Sequence, residues 1–161
     1  MKANGRSSKV NGLILGLTMI GLAASVQATS AAVATDIRAG VYTDVDAVGV
    51  GAGLLAPIGR ASDRWYFNPN AELALGDRDV ITLNGDVHYD LSYQQPTAVW
   101  LGAGPAVIMR DDLNNDRQTE LGMNVLAGIG ATRGNMRPYG QVKGIVADSN
   151  GGVALMGGVR F

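Results

Sequence analysis

The chain contains no cysteine. That removes disulfides, thiolate metal sites, cysteine nucleophiles and a lipidated N-terminal cysteine together. Imidazole chemistry rests on one residue, His88. Beyond residue 28 no long uninterrupted apolar run remains, so no helix is expected to span a membrane. An excess of positive charge is also missing: removing Lys2, Arg6 and Lys9 leaves 10 basic against 14 acidic side chains, a net charge of −4. Nucleic-acid binding, which calls for a basic stripe interleaved with stacking aromatics, is therefore disfavoured. Glycine, in contrast, is plentiful, with 19 of its 23 copies after residue 28. At about 1 kcal/mol per glycine in a helix interior, long helices are improbable.

The first 28 residues stand apart. Lys2, Arg6 and Lys9 form a positive start, and GLILGLTMIGLAA (Gly12–Ala24) is an apolar core shorter than the roughly 18–20 residues that span a bilayer. SVQA then puts Val26 and Ala28 at the −3 and −1 positions of a cleavage site before Thr29. The expectation is a cleaved signal peptide at 1–28 and one domain at 29–161; cleavage after Ala31 or Ala32 also fits.

A period of two organises that domain. In ITLNGDVHYDL (Ile81–Leu91) the odd positions are apolar or glycine, and the even ones are Thr82, Asn84, Asp86, His88 and Asp90. Alternation of this kind puts two sets of side chains on opposite faces of a strand. Eight segments show it: Asp36–Thr43, Ala47–Ile58, Trp65–Leu75, Val80–Leu91, Ala98–Arg110, Glu120–Arg133, Met136–Ala147 and Gly152–Phe161. The stretches between them are short and rich in Asp, Asn, Gly and Ser, so sequence neighbours should pair antiparallel. An even number of such strands closes into an all-β, eight-stranded up-and-down barrel. Pro105 interrupts the fifth segment, but keeping parity through it leaves Arg110 on the polar side, and no bulge is expected.

Alternation alone does not choose between a soluble barrel with an apolar cavity and a transmembrane barrel turned inside out. The polar rows do. They hold many glycines, including Gly40, Gly49, Gly51, Gly53, Gly102, Gly104, Gly122, Gly128 and Gly130, beside a few long polar groups. A narrow eight-stranded lumen needs small residues to make room for large neighbours, whereas a solvated face does not. Gly49, Gly51 and Gly53 are expected to clear Arg38 and Tyr42. The same rows carry Arg38, Arg110, Arg137, Lys143 and Arg160 against Asp36, Glu72, Asp86, Asp90 and Glu120, five of each sign. Buried charges must be paired. The expected lumen network is Arg38, Glu72, Asp86, His88, Glu120, Arg137, Lys143 and Arg160. Asp36, Asp90 and Arg110 lie near strand ends, where either lumen or water can take them.

With the mature N-terminus in the periplasm, the outward connections carry eight Asp against Arg78 and Arg117, while the opposite turns hold Arg60, Arg64 and Arg133 against Asp63. Trp65, Phe67, Tyr89, Tyr93 and Phe161 gather at that second, inner end, as interfacial rings do in membrane barrels. No matching outer girdle is present.

AVWLGAGPAV, NPNAELALG and the closing GGVRF, taken with the signal and the eight strands, resemble the small outer-membrane β-barrel proteins of Gram-negative bacteria, the OmpA/OmpX-like group. The resemblance covers Asp36–Phe161. It implies contact with outer-membrane lipid and a C-terminal assembly signal, Val159 and Phe161, read by the barrel-assembly machinery. It also implies a monomer, and no catalytic residue carries over. The family's usual glycine is displaced by one, with Met156 beside Gly157.

Three other chemistries have partial signals. His88 with Asp86 and Asp90 on its face suggests a lipid-modifying enzyme, but parity turns His88 inward and Ser92 falls in an inner turn. Asp112, Asn114 and Asp116 begin like a calcium loop, yet Arg117 and Met123 stand where Gly and Glu belong. GVGAG (Gly49–Gly53) is followed by no helix, so it is no nucleotide loop. The reading is a non-enzymatic structural or interaction barrel with a packed lumen, short acidic outer loops and no cofactor or metal. Its rivals are a lipid-modifying enzyme and a soluble lipocalin-like periplasmic binding barrel.

Overall fold

The computed structural model describes residues 33–43, 46–58, 64–76, 79–92, 95–111, 117–148 and 151–161. The signal segment, Asp44, Asp63, Asp77, Tyr93 and the Asp112–Asp116 loop lie outside them. Eight strands are present: β1 (Ala34–Tyr42), β2 (Ala47–Ile58), β3 (Trp65–Leu75), β4 (Val80–Asp90), β5 (Thr97–Asp111), β6 (Arg117–Ala131), β7 (Arg137–Ala147) and β8 (Gly151–Arg160). Each pairs antiparallel with its sequence neighbour, and β1 closes on β8. The expected bounds of β2 and β3 coincide with those found, and the rest differ by three residues or fewer. Each strand alternates because one face has a cramped interior to fill and the other does not.

The prolines show how local chemistry is absorbed. The β5–β6 register runs unbroken from Thr97↔Ala131 to Asp111↔Arg117, with Pro105 opposite Met123, so no bulge is inserted. On its other side, toward β4, pairing lapses between Asn84↔Ala106 and Val87↔Ala103, where Pro105 has no N–H to give. Pro69 interrupts the β2–β3 ladder likewise, between Gly53↔Asn70 and Ala56↔Phe67. There the Leu54 carbonyl accepts a hydrogen bond from Asn68 Nδ2 at 2.6 Å, so a side chain replaces the lost ladder bond.

The distribution of polarity is inverted relative to a soluble domain. Leu121, Val125, Val146, Met123, Leu101, Leu155 and Val48 all point outward and are exposed, Leu121 by 73%. Lys143, Asp36 and Asp86 are 0% exposed. Such an exterior, contiguous around the cylinder, belongs in hydrocarbon.

Candidate functional site

Among the described residues the lumen is where polar chemistry gathers, and it divides into three levels. Nearest the end that carries the β1–β2 and β7–β8 turns, Tyr42, Ala74, Val80, Ala106, Ile108, Ile145, Ala154 and Met156 form a buried apolar cluster. The middle holds the ions. The end that carries both chain termini holds rings and an arginine.

At the middle level, every nitrogen of the Arg38 guanidinium is engaged. It donates from Nε and NH2 to the two Asp36 oxygens at 3.2 and 2.9 Å, from NH1 to Glu72 Oε1 at 3.3 Å, and from NH2 to Asn68 Oδ1 at 2.8 Å. Glu72 Oε2 accepts from Tyr42 at 2.7 Å, from Thr82 at 3.3 Å and from Lys143 Nζ. Tyr139 donates its hydroxyl to Asp36 Oδ1 at 2.6 Å. An arginine bidentate to one carboxylate and bonded to a second, with every carboxylate oxygen accepting at least one hydrogen bond, is how a buried charge cluster avoids a large desolvation cost.

Asp86 is held differently. Among the described residues it has no cation within ion-pair distance; its two oxygens accept from Asn70 Nδ2 at 3.0 Å and Asn124 Nδ2 at 2.9 Å. Asn84 donates to Asn70 Oδ1 at 2.8 Å, and Asn124 also donates to Asn84 Oδ1 at 2.8 Å. The register explains this ladder, since Asn70 faces Asn84 and Asn68 faces Asp86 across β3 and β4.

Beneath it, Arg160 lies over the rings of Trp100, at 4.3 Å, and Tyr139, at 4.4 Å. His88 stacks near Trp100 with ring centroids 6.2 Å apart and planes 9° off parallel. Trp100 Nε1 donates to Gln141 Oε1 at 3.4 Å. Unlike Arg38, Arg160 is thinly engaged: its Nε is 3.7 Å from Asp36 Oδ2, beyond hydrogen-bond reach.

Glycines create this volume. A Cβ on Gly49 would lie 2.4 Å from the Tyr42 ring, and one on Gly128 would lie 2.2 Å from Trp100. Gly51 clears the Glu72 side chain at 2.7 Å and the Ala71 carbonyl at 2.9 Å before Arg38 at 3.2 Å, and Gly53 clears Asn70. The expectation that all three β2 glycines serve Arg38 and Tyr42 is thus corrected: Gly53 faces β3, because β2 touches two neighbours and the sequence does not say which one crowds it.

Of the residues expected in the network, Arg38, Glu72 and Lys143 meet directly. Asp86 joins through asparagines, and His88 and Arg160 sit one level below. Glu120 and Arg137 stay out of it. Glu120 pairs with Arg110 at 3.2 Å near the far end of β5 and β6. Arg137 is half-buried at the first residue of β7 and donates to the Phe161 carbonyl at 3.4 Å. Asp36, which the sequence left open between lumen and water, is wholly buried. Sequence reasoning also left Asn68, Asn70, Asn84 and Asn124 off the list of network residues, although strand parity puts them on the same face. Ser92 is spent on its turn: its hydroxyl donates to the Thr97 carbonyl at 2.9 Å and accepts from the Val99 N–H at 2.6 Å.

A closed eight-stranded antiparallel barrel with an apolar exterior and a salt-bridged lumen is the architecture of the small outer-membrane barrels. The N-terminal β-barrel domain of Pseudomonas aeruginosa OprF is similar, with a TM-score of 0.65 and 18% identity over 81% of this chain and 96% of that one. Neisserial surface protein A matches with a TM-score of 0.64 and 17% identity over 80% and 94%. The outer membrane enzyme PagL shares the architecture at 0.54 and 12% identity, over 80% and 98%. At these identities the likeness is one of fold. No family model matches the sequence, and no curated protein does.

Proposed function

We propose that this chain is a monomeric outer-membrane barrel with a structural or interaction role, one that does not conduct ions by diffusion. Residues 1–28 direct its export and are removed. Both termini of residues 29–161 then lie on the periplasmic side, and the barrel-assembly machinery engages the last strand through Val159 and Phe161. The observation that carries the reading is the lumen: Arg38, Asp36, Glu72 and Lys143 bridge the axis beneath an apolar cluster, so the cylinder is filled by side chains.

Support for the membrane setting comes from the exterior and from Trp65 and Tyr89, whose rings lie 4.8 Å apart on the outer face at the terminal end. A lipid-modifying activity gains no support from His88, which is buried in the lumen and turned away from lipid. Planar-bilayer recordings of the refolded protein test the packed interior. A silent membrane is expected; stable ion-conducting channels would refute it.

A further inference from the structure

The lipid-facing wall is hollowed in both halves of its height. In the half away from the termini, a furrow of about 680 Å³ lies over Gly85 and Pro105, between Leu83, Val107 and Leu121, and reaches Asp148. In the half nearer the termini, one of about 610 Å³ lies over β6, β7 and β8. Gly140 and Gly157 make its floor, and Ala127, Ile129, Val142 and Leu155 its walls. The register sets that floor, because Gly140 faces Gly157 on one side and Ile129 on the other. A Cβ on Gly140 would meet nothing within 4 Å, so the hollow is open to whatever surrounds the barrel.

The charge at the end of each furrow differs. On the strands that carry the second one, Arg133 and Arg137 stand at the rim. Arg133 is exposed on the β6–β7 turn and pairs with no carboxylate among the described residues. Arg137, the first residue of β7, is half-buried and gives one N–H to the Phe161 main-chain oxygen. Three residues separate it from Gly140, about 10 Å along a strand. Met136 and Phe161, exposed by 62% and 50%, flank the arginines with apolar surface. From this arrangement we infer that the β6–β8 face binds an anionic phospholipid, with one acyl chain in the Gly140–Gly157 furrow and the phosphate held by Arg133 and Arg137. Guanidinium groups match phosphate oxygens with paired N–H bonds. The furrow that reaches Asp148 repels the same headgroup, so the two hollows are not equivalent. A zwitterionic lipid is the poorer fit, because its ammonium gains nothing from two arginines.

Such a site presupposes the membrane setting, and its test uses the detergent-folded protein. The micelles are doped with equal amounts of phosphatidylglycerol and phosphatidylcholine of identical chains, and native mass spectrometry counts the lipids that stay bound. Phosphatidylglycerol should be retained about fivefold over phosphatidylcholine, since each arginine near a headgroup adds attraction of that order. Arg133→Gln combined with Arg137→Gln should bring the ratio below about twofold while the heat-modifiable gel shift is kept. If the double variant does not fold, Arg133→Gln alone should roughly halve the ratio. Gly140→Leu fills the furrow from the outer face and should lower retention of both lipids about threefold, by removing the contacts an acyl chain makes there. Equal retention of the two lipids by the parent, or a preference that survives loss of both arginines, overturns the headgroup assignment. Retention unchanged in Gly140→Leu overturns the furrow. A parent without the gel shift would count against the membrane barrel itself, and this site would fall with it. A conducting lumen would leave the lipid ratio as it is.

Discussion

Two of the lumen's arginines are treated in opposite ways. Arg38 donates to two carboxylates and an amide, so little of its bonding capacity is left. Arg160, one level nearer the termini, meets aromatic faces and has only a long ion pair, 3.7 Å, to Asp36. The difference follows from place. Arg38 sits between β2 and β8 in the middle of β1, where Asp36, Asn68 and Glu72 converge. Arg160 is the last residue of β8, where the lumen opens and partners thin out. A charge at the centre is met by short hydrogen bonds, whereas the one near the mouth is held by rings and a single longer ion pair.

That contrast predicts a graded series. The largest loss should follow Glu72→Ala, which leaves Lys143 and one arm of Arg38 buried without their counter-ion. Removing one partner of a buried pair costs about 3–5 kcal/mol, and urea titration of the lipid-folded protein should show it as a much lower midpoint or as failure to refold. Asp86→Ala comes next. It takes one acceptor from each of the Asn70 and Asn124 amides, at about 1–3 kcal/mol by the same assay, because a buried N–H without an acceptor keeps its desolvation cost.

Gly40→Ala tests closure of the cylinder itself. The new methyl would lie 2.1 Å from the Leu155 carbonyl oxygen across the β1–β8 seam, so the strands must part, at about 1–3 kcal/mol. Arg160→Gln should cost less, about 1 kcal/mol, since it forfeits ring contacts and one long ion pair while Asp36 keeps Arg38. At the bottom of the series stands Gly140→Ala on β7. A Cβ there meets nothing within 4 Å, so the midpoint should stay within about 0.5 kcal/mol of the parent. If Gly140→Ala proved as damaging as Gly40→Ala, the assignment of inner and outer faces would be wrong.

Much of this order is readable from the residues. Alternation in Ile81–Leu91 assigns His88, Asp86 and Asn84 to one face before any coordinates exist, and parity carried through Pro105 puts Trp100 and Arg110 on the lumen side. The glycines of β2 signal a crowded interior. Less legible is which long side chain each glycine serves. Gly53 yields to Asn70 across β3, and only the register Gly53↔Asn70 says so. The asparagine ladder also escaped, because neutral amides add nothing to a charge count, although they are what holds Asp86.

What the sequence determined by itself is the sidedness of every strand, since a two-residue repeat cannot move one side chain to the other face without moving all of them. Strand order and closure followed from short connections. Tertiary structure alone decided height along the axis. Strand tilt and stagger set which residues of different strands share a level, bringing Arg38, Glu72 and Lys143 together while leaving Glu120 and Arg137 near the rims. Pairing of charges depends on distances of a few ångströms, and those arise only when the cylinder closes.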